Sequence, residues 1–501
     1  MLNVDNIFRF SANSPLIFSQ YLFLLFFTMM YGIYCLIHTH NRLRNIYLLA
    51  FSLFFYYKCS GFYFLILLLS IVLDYFYGFL IDRNEGIRRK FFLFLSILSN
   101  LGLLFYFKYS YFIVDIINEL IGIHFQPVNF IAIWSNSLFQ SGFDITEIIL
   151  PVGISFYTFQ TLSYSIDIYR RNVEPCKDFF DFAFFVSFFP QLVAGPIVRA
   201  IDFIPQIRKP FLLSKREFSL AVLLIIGGLV KKVLISDYIS INFVDRVFES
   251  PELYTGFMNL MAVYGYTIQI YCDFSGYSDM AIGLAALLGF KLPINFNSPY
   301  KATSITDFWR KWHISLSLWL KDYLYIPLGG NRKGKLRSVI NILITMILGG
   351  LWHGAALKFI IWGLIHGIGL TIHKIWGSAL NIGKNISWTI ISWAITFHFV
   401  AFSWMYFRAS SIEIVNIMIQ KVVYTFNFWG ISDRITGYWK PFLCIGLGFL
   451  LHFIPDRFKE NIRTYYSRIP VFIQVIVFSL IIFIIFQVRS TTIQPFIYFQ
   501  F

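Results

Sequence analysis

Charged side chains and paired cysteines are both scarce in this sequence. Only 13% of its 501 residues are Asp, Glu, Lys or Arg, whereas soluble domains usually carry about 25% charged residues, which argues against an ordinary soluble enzyme. The cysteines form no CxxC pair, so neither a zinc site nor a disulfide framework is indicated; they are Cys35, Cys59, Cys176, Cys272 and Cys444. We also find no tandem repeat and no low-complexity tract.

Apolar residues fill most of the chain. Hydrophobic side chains make up 57% of it and aromatic side chains 20%. Because a membrane-spanning helix needs about 20 apolar residues, the recurring apolar runs predict an all-α integral membrane protein with roughly ten to thirteen spans. The first run, Leu16–Ile37, is too long for the core of a signal peptide, and no positively charged segment precedes it. We therefore expect a first span rather than a cleaved leader.

Basic residues predict which loops face the cytoplasm. The chain has 41 Lys and Arg against 26 Asp and Glu, a net charge of +15, and basic loops favour the cytoplasmic side of a membrane. Two arginines follow the first run, which places the N-terminus outside. Near the other end, the basic segment 457–468 is expected in the cytoplasm and the run 471–486 is long enough to span. We therefore predict a membrane domain over residues 1–486 and an extracytoplasmic tail over residues 487–501, and we do not expect nucleic acid as a partner.

Two segments depart from the pattern of simple spanning helices. In the segment 307–328, polar side chains recur at intervals of three and four among Trp and Leu; they are Arg310, His313, Ser317 and Lys321. This spacing predicts an amphipathic helix at the membrane interface or one that re-enters the bilayer. Further on, Gly349-Gly350 interrupts an apolar run, and Trp352-His353-Gly354 follows. A polar residue beside a broken helix at membrane depth is tolerated only where protein or a wet cavity surrounds it.

Positive charge is concentrated in residues 301–337. Eight basic and two acidic side chains there give a net charge of +6. A cytoplasmic loop of the positive-inside kind explains this charge as well as a binding site does. As a binding site, the glycine-containing basic surface would hold the phosphates of a cytoplasmic anion such as coenzyme A; the candidate residues are Arg310, Lys311, Arg332, Lys333 and Lys335. The loop is not a P-loop, so nucleotide hydrolysis is not indicated.

Two of the nine histidines are candidates for chemistry. A neutral imidazole with a pKa of about 6.5 can take a hydroxyl proton and return it, and both His313 and His353 lie in the unusual segments described above. Spacing alone leaves a structural role for both open. His366 and His373 are seven residues apart on one helix face, where packing is the better explanation. Interfacial or packing positions also account for the others, which are His38, His40, His124, His398 and His452.

Five sequence blocks carry a family resemblance. They are PVGISFYTFQ at 151–160, FFPQLVAGPIVR at 188–199, DFSGYSDMAIG at 273–283, the block 296–335 that contains FWRKWHISLSLWLKDYLYIPLGG, and GGLWHGAALKFIIWGLIHG at 349–367. Together they resemble the membrane-bound O-acyltransferase family, in particular its alginate and peptidoglycan O-acetyltransferases. The resemblance covers roughly residues 1–485 in order, with its core motifs within residues 150–375.

The resemblance implies a fold and an activity. The fold would be a bundle of membrane helices around a central tunnel in the bacterial cytoplasmic membrane, among membrane lipids. In this family, the histidine that matches His353 is catalytic, and the one that matches His313 is a second active-site residue. The acyl donor would be acetyl-CoA or another acyl thioester that enters from the cytoplasm, with no metal ion.

The C-terminus carries a second, shorter resemblance. The ending FIYFQF at 496–501 is similar to the C-terminal motif of a small partner protein in the D-alanylation of teichoic acid, where a tyrosine is thought to carry the acyl group. The resemblance implies that Tyr498 accepts the acetyl group. By composition alone, a tyrosine of the aromatic belt at the membrane interface is the simpler interpretation.

Taken together, these features predict a relay. His353, with His313 orienting or polarising, would take the proton of Tyr498 as its oxygen attacks the thioester. An extracytoplasmic partner with an SGNH or esterase-like site would then move the acetyl group to a polysaccharide hydroxyl, since this chain contains no GxSxG elbow of its own. Asp273 is a weak candidate for orienting a histidine, with a helix-bridging ion pair as its alternative. Direct acylation of a lipid or protein, and transport of an anionic solute, remain alternative functions.

Overall fold

The protein folds as a bundle of α-helices. The computed structural model describes residues 8–11, 15–139, 143–377 and 385–488, and no β-strand occurs among them. In chain order the helices are α1 Tyr21–Ile37, α2 Asn41–Ser60, α3 Phe64–Arg83, α4 Gly86–Ile121, α5 Phe130–Phe139, α6 Ile154–Tyr169, α7 Phe179–Ser187, α8 Phe189–Leu192, α9 Ala200–Ile207, α10 Lys215–Leu229, α11 Asp245–Glu249, α12 Gly256–Leu287, α13 Ile305–Lys311, α14 Ile314–Leu320, α15 Gly334–His353, α16 Leu357–Gly377, α17 Ile386–Arg408, α18 Ile412–Tyr424, α19 Ile431–Gly437, α20 Trp439–Phe453, α21 Asp456–Arg468 and α22 Val471–Val488. The predicted all-α fold is confirmed.

Long apolar helices are fewer than the apolar runs suggest. Within the described ranges, six helical stretches are long and apolar enough to cross a membrane: Asn41–Arg83, Gly86–Ile121, Lys215–Glu249, Gly334–His353, Leu357–Trp376 and Ile386–Arg408. A seventh results if α20 and α21, which are bent by 90° at their junction, form one span. The apolar runs of the sequence predict roughly ten to thirteen membrane spans. Two of its apolar runs instead form the short helices α6 and α7, whose side chains are mostly buried within the protein.

The centre of the bundle is α12. Residues on all its faces are buried, and it packs along α10 and against α17, α18 and α20. A helix that is buried all round needs no polar face toward water, which explains why its residues are mostly apolar and few of them are charged. The wide, π-helical turns Val230–Asp237 continue α10 past the middle of α12.

The predicted amphipathic helix over 307–328 is wrong in detail. The chain there forms α13, then a break at Trp312-His313, then α14 and the π-helical turns Lys321–Tyr325. The break is at His313, whose φ of 43° lies in the left-handed region that non-glycine residues seldom adopt. His313 is fully buried, so it does not share a polar stripe with the exposed Arg310 and Lys321.

The predicted break at Gly349-Gly350 is also displaced. Helix α15 runs through both glycines and ends at His353, after which Gly354 is extended. The two glycines therefore do not stop the helix. Instead, Gly350 lies directly against α16, where a Cβ would meet the carbonyl oxygen of Phe359.

The predicted boundary at residue 486 is not tested, because the described residues end at 488. The candidate Tyr498 and the rest of the tail, 489–501, lie outside the described residues.

Candidate active site

His353 is the last residue of α15 and is buried. Its imidazole packs edge-on against the rings of Trp362 and Phe407, with centroid distances of 5.1 and 5.3 Å, and lies 5.0 Å from the ring of Trp352. Helices α16 and α17 supply the first two of these rings. The imidazole is therefore held at a helix end inside an aromatic enclosure, where a proton transfer is shielded from bulk water.

His313 approaches the same tryptophan from another part of the chain. Its ring lies 6.1 Å from that of Trp352 and 4.7 Å from that of Phe274 on α12. Both histidines are thus next to one indole, although 40 residues separate them in the sequence. The structure brings the two predicted histidines into one site.

The surroundings of His313 define its hydrogen-bonding role. Its Nδ1 accepts the backbone N–H of Leu316 at 3.3 Å and caps α14. Burial lowers the pKa of His313 to about 3, so its ring is neutral at physiological pH. A neutral ring that accepts at Nδ1 carries its proton on Nε2. His313 is thereby suited to donate a hydrogen bond, which fits the orienting or polarising role better than that of a second base.

The end of α15 is fixed by two neighbouring residues of α4. Lys108 Nζ donates to the carbonyl oxygens of Trp352 and His353 at 2.6 and 3.0 Å, and Tyr109 Oη donates to that of Leu351 at 2.9 Å. The last carbonyls of a helix have no partner within it and carry partial negative charge, so an ammonium group is a favourable cap. Sequence reasoning missed Lys108. Its signal is a lysine in the interior of the apolar run 91–115, since charges within such runs usually have a function.

A small cavity of about 70 Å³ adjoins this cap. It is lined by Lys108, Val193, Trp352 and the continuous segment 150–156, which overlaps the first sequence block of the family resemblance. The cavity has room for about two water molecules, at roughly 30 Å³ each, or for a group of similar size. It lies beside the indole that both histidines contact.

The five predicted coenzyme A residues are at the protein surface. Arg310 is exposed at the end of α13, and Lys311 pairs with Asp307 at 2.8 Å. The other three, Arg332, Lys333 and Lys335, are exposed in the loop before α15 and in its first turn. This loop is tied to α16 by Lys374, which bonds to Asn331 at 2.6 Å and also to Ser338. The structure therefore leaves both interpretations of the basic segment open.

Asp273 forms a buried ion pair with a lysine. Lys232, in the π-helical turns after α10, bonds to Asp273 and lies 2.8 Å from Asp237. This pair joins the extension of α10 to α12, which corresponds to the helix-bridging alternative. His366 has a structural environment as well, since Trp309 Nε1 donates to its Nδ1 at 3.3 Å and its Nε2 lies 2.9 Å from Ser403 Oγ. Among the described residues, no group of three or more His, Cys, Asp and Glu could hold a metal ion.

Comparison with known proteins gives matches along most of the chain. The profile of the membrane-bound O-acyltransferase family matches residues 176–416, a range that includes both histidines. A protein of Pseudomonas syringae pv. tomato named "Probable alginate O-acetylase AlgI" is 38% identical over 89% of this chain and 83% of its own length. A protein of the same name from Pseudomonas putida is 36% identical over 97% of this chain and 100% of its own length.

A relative whose name gives a different acceptor has a similar sequence identity. The peptidoglycan O-acetyltransferase of Helicobacter pylori is 39% identical over 74% of this chain and 72% of its own length. The resemblance that the five sequence blocks indicate is thus confirmed. The chain belongs to the membrane-bound O-acyltransferase family and is a multi-pass membrane O-acyltransferase.

Proposed function

We propose that this enzyme takes an acetyl group from cytoplasmic acetyl-CoA and passes it across the membrane for the O-acetylation of a cell-surface or secreted polysaccharide. The observation that carries this proposal is the placement of His353 and His313 around Trp352, inside the protein and at the end of a membrane helix. The names of the relatives, which concern alginate and peptidoglycan, support an acetyl group as cargo and a polysaccharide as the final acceptor.

The chemical step needs one base and one hydrogen-bond donor. His353 takes the proton of an acceptor hydroxyl while the oxygen attacks the thioester carbonyl, and the Nε2–H of His313 stabilises negative charge on the substrate. When the C–S bond breaks, the proton on His353 goes to the departing thiolate, so the base is regenerated. The closely packed rings around His353 exclude water, which would otherwise hydrolyse the thioester.

We propose Tyr498 as the first acceptor. A phenol has a pKa of about 10, so it requires a base to attack at neutral pH, and the aryl ester that forms transfers its acetyl group readily to another hydroxyl. An extracytoplasmic SGNH or esterase-like partner would complete the transfer. The acetyl group then crosses the membrane while coenzyme A stays in the cytoplasm, where the exposed cations of the basic segment would hold its phosphates.

Labelling with acetyl-CoA tests the proposal. The purified full-length protein is incubated with radiolabelled acetyl-CoA, and the label is located by peptide mapping. We expect acetyl on Tyr498 in the wild-type protein and none in His353→Ala, while Tyr498→Phe should also lose the label. Label that persists on Tyr498 in folded His353→Ala would show that another group is the base.

Two further measurements separate the alternative functions. Deletion of residues 494–501 should abolish transfer to the polysaccharide if Tyr498 is the carrier, whereas direct acylation of a lipid or protein should survive the deletion. Flux of an anionic solute through proteoliposomes, unchanged in His353→Ala, would instead identify a transporter.

Charge reversal of Arg332, Lys333 and Lys335 should raise the KM for acetyl-CoA if this loop binds the donor, and should leave it unchanged if the loop serves only membrane topology.

A further inference from the structure

A large cavity lies between α21 and the bundle, apart from the two histidines of the active site. Its volume is about 790 Å³, and it is bounded by α10 and its π-helical extension, α12, the segment 296–298, and the junction of α20 with α21. A second recess of about 340 Å³ shares Leu224, Gly227 and Lys459 with it and continues along α10 past Leu220 and Leu223. We call the larger space the chamber and its continuation the groove.

The chamber contains hydrogen-bond donors as well as paired charges. Lys231 bonds to Asp279 and donates to Ser275 Oγ at 3.1 Å, and Lys459 donates to Ser298 Oγ at 2.8 Å. Its charged lining comprises four cations and three carboxylates: Lys231, Arg457, Lys459 and Arg463 against Asp279, Asp456 and Glu460. The cations are in excess, although most of them have a carboxylate neighbour.

His452 is a buried residue in the wall of the chamber. It is 2% exposed and lines the cavity. Its Nε2 accepts the backbone N–H of Tyr300 at 3.1 Å, so a neutral ring carries its proton on Nδ1. Within the part of the chain that the structure describes, this Nδ1 has no hydrogen-bond partner.

The groove has a different chemistry. It is lined by Leu220, Leu223, Leu224, Gly227 and Ile462, with Asp279, Lys459, Glu460 and Arg463 where it meets the chamber. Helix α21 is set at 90° to α20, and Phe458, Ile462 and Tyr465 form an exposed apolar face on it. A basic helix with one apolar face, turned across the direction of the span before it, is typical of a helix lying in the membrane interface. The chamber is then at head-group depth, and the groove runs beside acyl chains.

We propose that this site binds a glycerophospholipid. The phosphate accepts hydrogen bonds from the side chains of Lys459 and Arg463, which line both the chamber and the groove, since phosphate oxygens are strong acceptors for cationic donors. One acyl chain lies in the groove against Leu220 and Leu223. The excess of cations over carboxylates suits the single negative charge of the phosphate. The bound lipid fastens α21 to α10 and α12.

Gly227 provides a way to block the site without disturbing the backbone. It lines both the chamber and the groove, and a Cβ at this position would meet nothing within 4 Å. Gly227→Phe therefore fills space that the lipid needs. Gly102 in α4 is the matched control, because a Cβ there also meets nothing within 4 Å and it lines neither space.

Native mass spectrometry of the full-length protein tests the proposal, with dioleoyl phosphatidylethanolamine or dioleoyl phosphatidylglycerol added in turn to the detergent solution. We expect a lipid adduct on the wild-type protein and on Gly102→Phe, and a loss of at least about fivefold in Gly227→Phe. Lys459→Glu, an independent change on the exposed helix, should weaken the adduct as well. Equal adducts in all four proteins, or no adduct on the wild-type protein, would overturn the proposal.

Soluble phosphates distinguish the source of the ligand. Inorganic phosphate and free coenzyme A are added at millimolar concentration to the lipid-loaded wild-type protein. Retention of the lipid supports a phospholipid site, because the groove contributes binding that these compounds lack. Displacement of the lipid by coenzyme A, with coenzyme A binding that disappears in Gly227→Phe, would assign the site to the acyl donor instead and contradict the proposal.

Discussion

Two buried histidines on consecutive helices show how surroundings separate chemistry from packing. Both ring nitrogens of His366 have described partners, Trp309 and Ser403, which holds the ring in one orientation. His353 is enclosed by aromatic rings and shares the indole of Trp352 with His313. An imidazole that binds neighbouring side chains through both nitrogens is poorly placed to exchange a proton with a substrate.

His366→Ala should therefore reduce stability rather than chemistry. Loss of the ring removes the acceptor of the buried Trp309 indole N–H and leaves Ser403 Oγ with only its hydrogen bond to the carbonyl oxygen of Val400, which costs about 2 kcal/mol of unfolding free energy. We expect a lower melting temperature and a nearly normal rate of acetyl transfer for each folded molecule. His353→Ala should give the opposite pattern, with its melting temperature nearly retained and transfer lost. Thermal melting in detergent, combined with the labelling assay, measures both; an inactive but stable His366→Ala would contradict this assignment.

At the residue scale, the sequence identified the histidines but not their partners. The predicted importance of His353 and His313 came from family motifs, and spacing alone left a structural role open. Lys108 went unnoticed because it acts on backbone carbonyls 244 and 245 positions away, and a carbonyl has no signature in a sequence. Asp273 pairs with Lys232, 41 positions earlier, and nothing in the local sequence of either residue indicates that pairing.

At the scale of elements, the rate of acetyl transfer depends on how the end of α15 holds His353. The cap by Lys108 fixes the backbone that carries His353, and charge-assisted hydrogen bonds of this kind contribute about 1.5–3 kcal/mol each. Lys108→Met keeps the length of the side chain and removes the cap. We expect the rate of transfer to fall about tenfold or more, with partial recovery in Lys108→Arg and a smaller loss in Tyr109→Phe.

Steady-state kinetics with acetyl-CoA would check this expectation. A displaced His353 should lower kcat more than it changes the KM for acetyl-CoA, because Lys108 contacts the helix end rather than the exposed basic segment. Normal kcat in a folded Lys108→Met protein would show that the aromatic rings alone position His353.

The crossing of α15 and α16 depends on glycine. A Cβ on Gly350 would meet the carbonyl oxygen of Phe359 and lie 3.1 Å from the Cα of Gly363, so the two backbones are in direct contact, as is common where membrane helices cross at small residues. Gly350→Ala should separate the helices, displace His353 and reduce both transfer and melting temperature. Gly446→Ala is the control, since a Cβ there meets nothing within 4 Å. Equal behaviour of the two variants would refute the close crossing.

This pair also explains why the sequence misplaced a helix break. A glycine pair in an apolar run either interrupts a helix or permits close packing, and local pattern does not distinguish the two. The same limitation applies to the segment 307–328, where a polar side chain every three or four residues predicted one helix. The structure breaks it at His313, because burial of that ring among Phe274 and Trp352 outweighs the local preference for helix.

At the scale of the whole molecule, the orientation of the bundle in the membrane stays a prediction. The basic start of α4 and the basic loop before α15 should both face the cytoplasm. Single cysteines at Gln126 and Lys333, which are both exposed, would be introduced after replacement of the five native cysteines. We expect a membrane-impermeant maleimide to label Gln126→Cys in intact cells and Lys333→Cys only after the membrane is opened. The reverse pattern would invert the topology and, with it, the side from which the donor arrives.

Composition and apolar runs by themselves determine that this protein is an all-α, multi-pass membrane protein, because a chain with so few charges and so many long apolar stretches satisfies its backbone in lipid only as helices. Five motif blocks determine its family. Tertiary structure alone decided how many runs are long enough to span, where the helix that bears His353 ends, that Lys108 caps it, and that Asp273 pairs with Lys232. Each of these outcomes depends on which distant helices meet, and contact between residues far apart in the chain leaves no periodic trace in either segment.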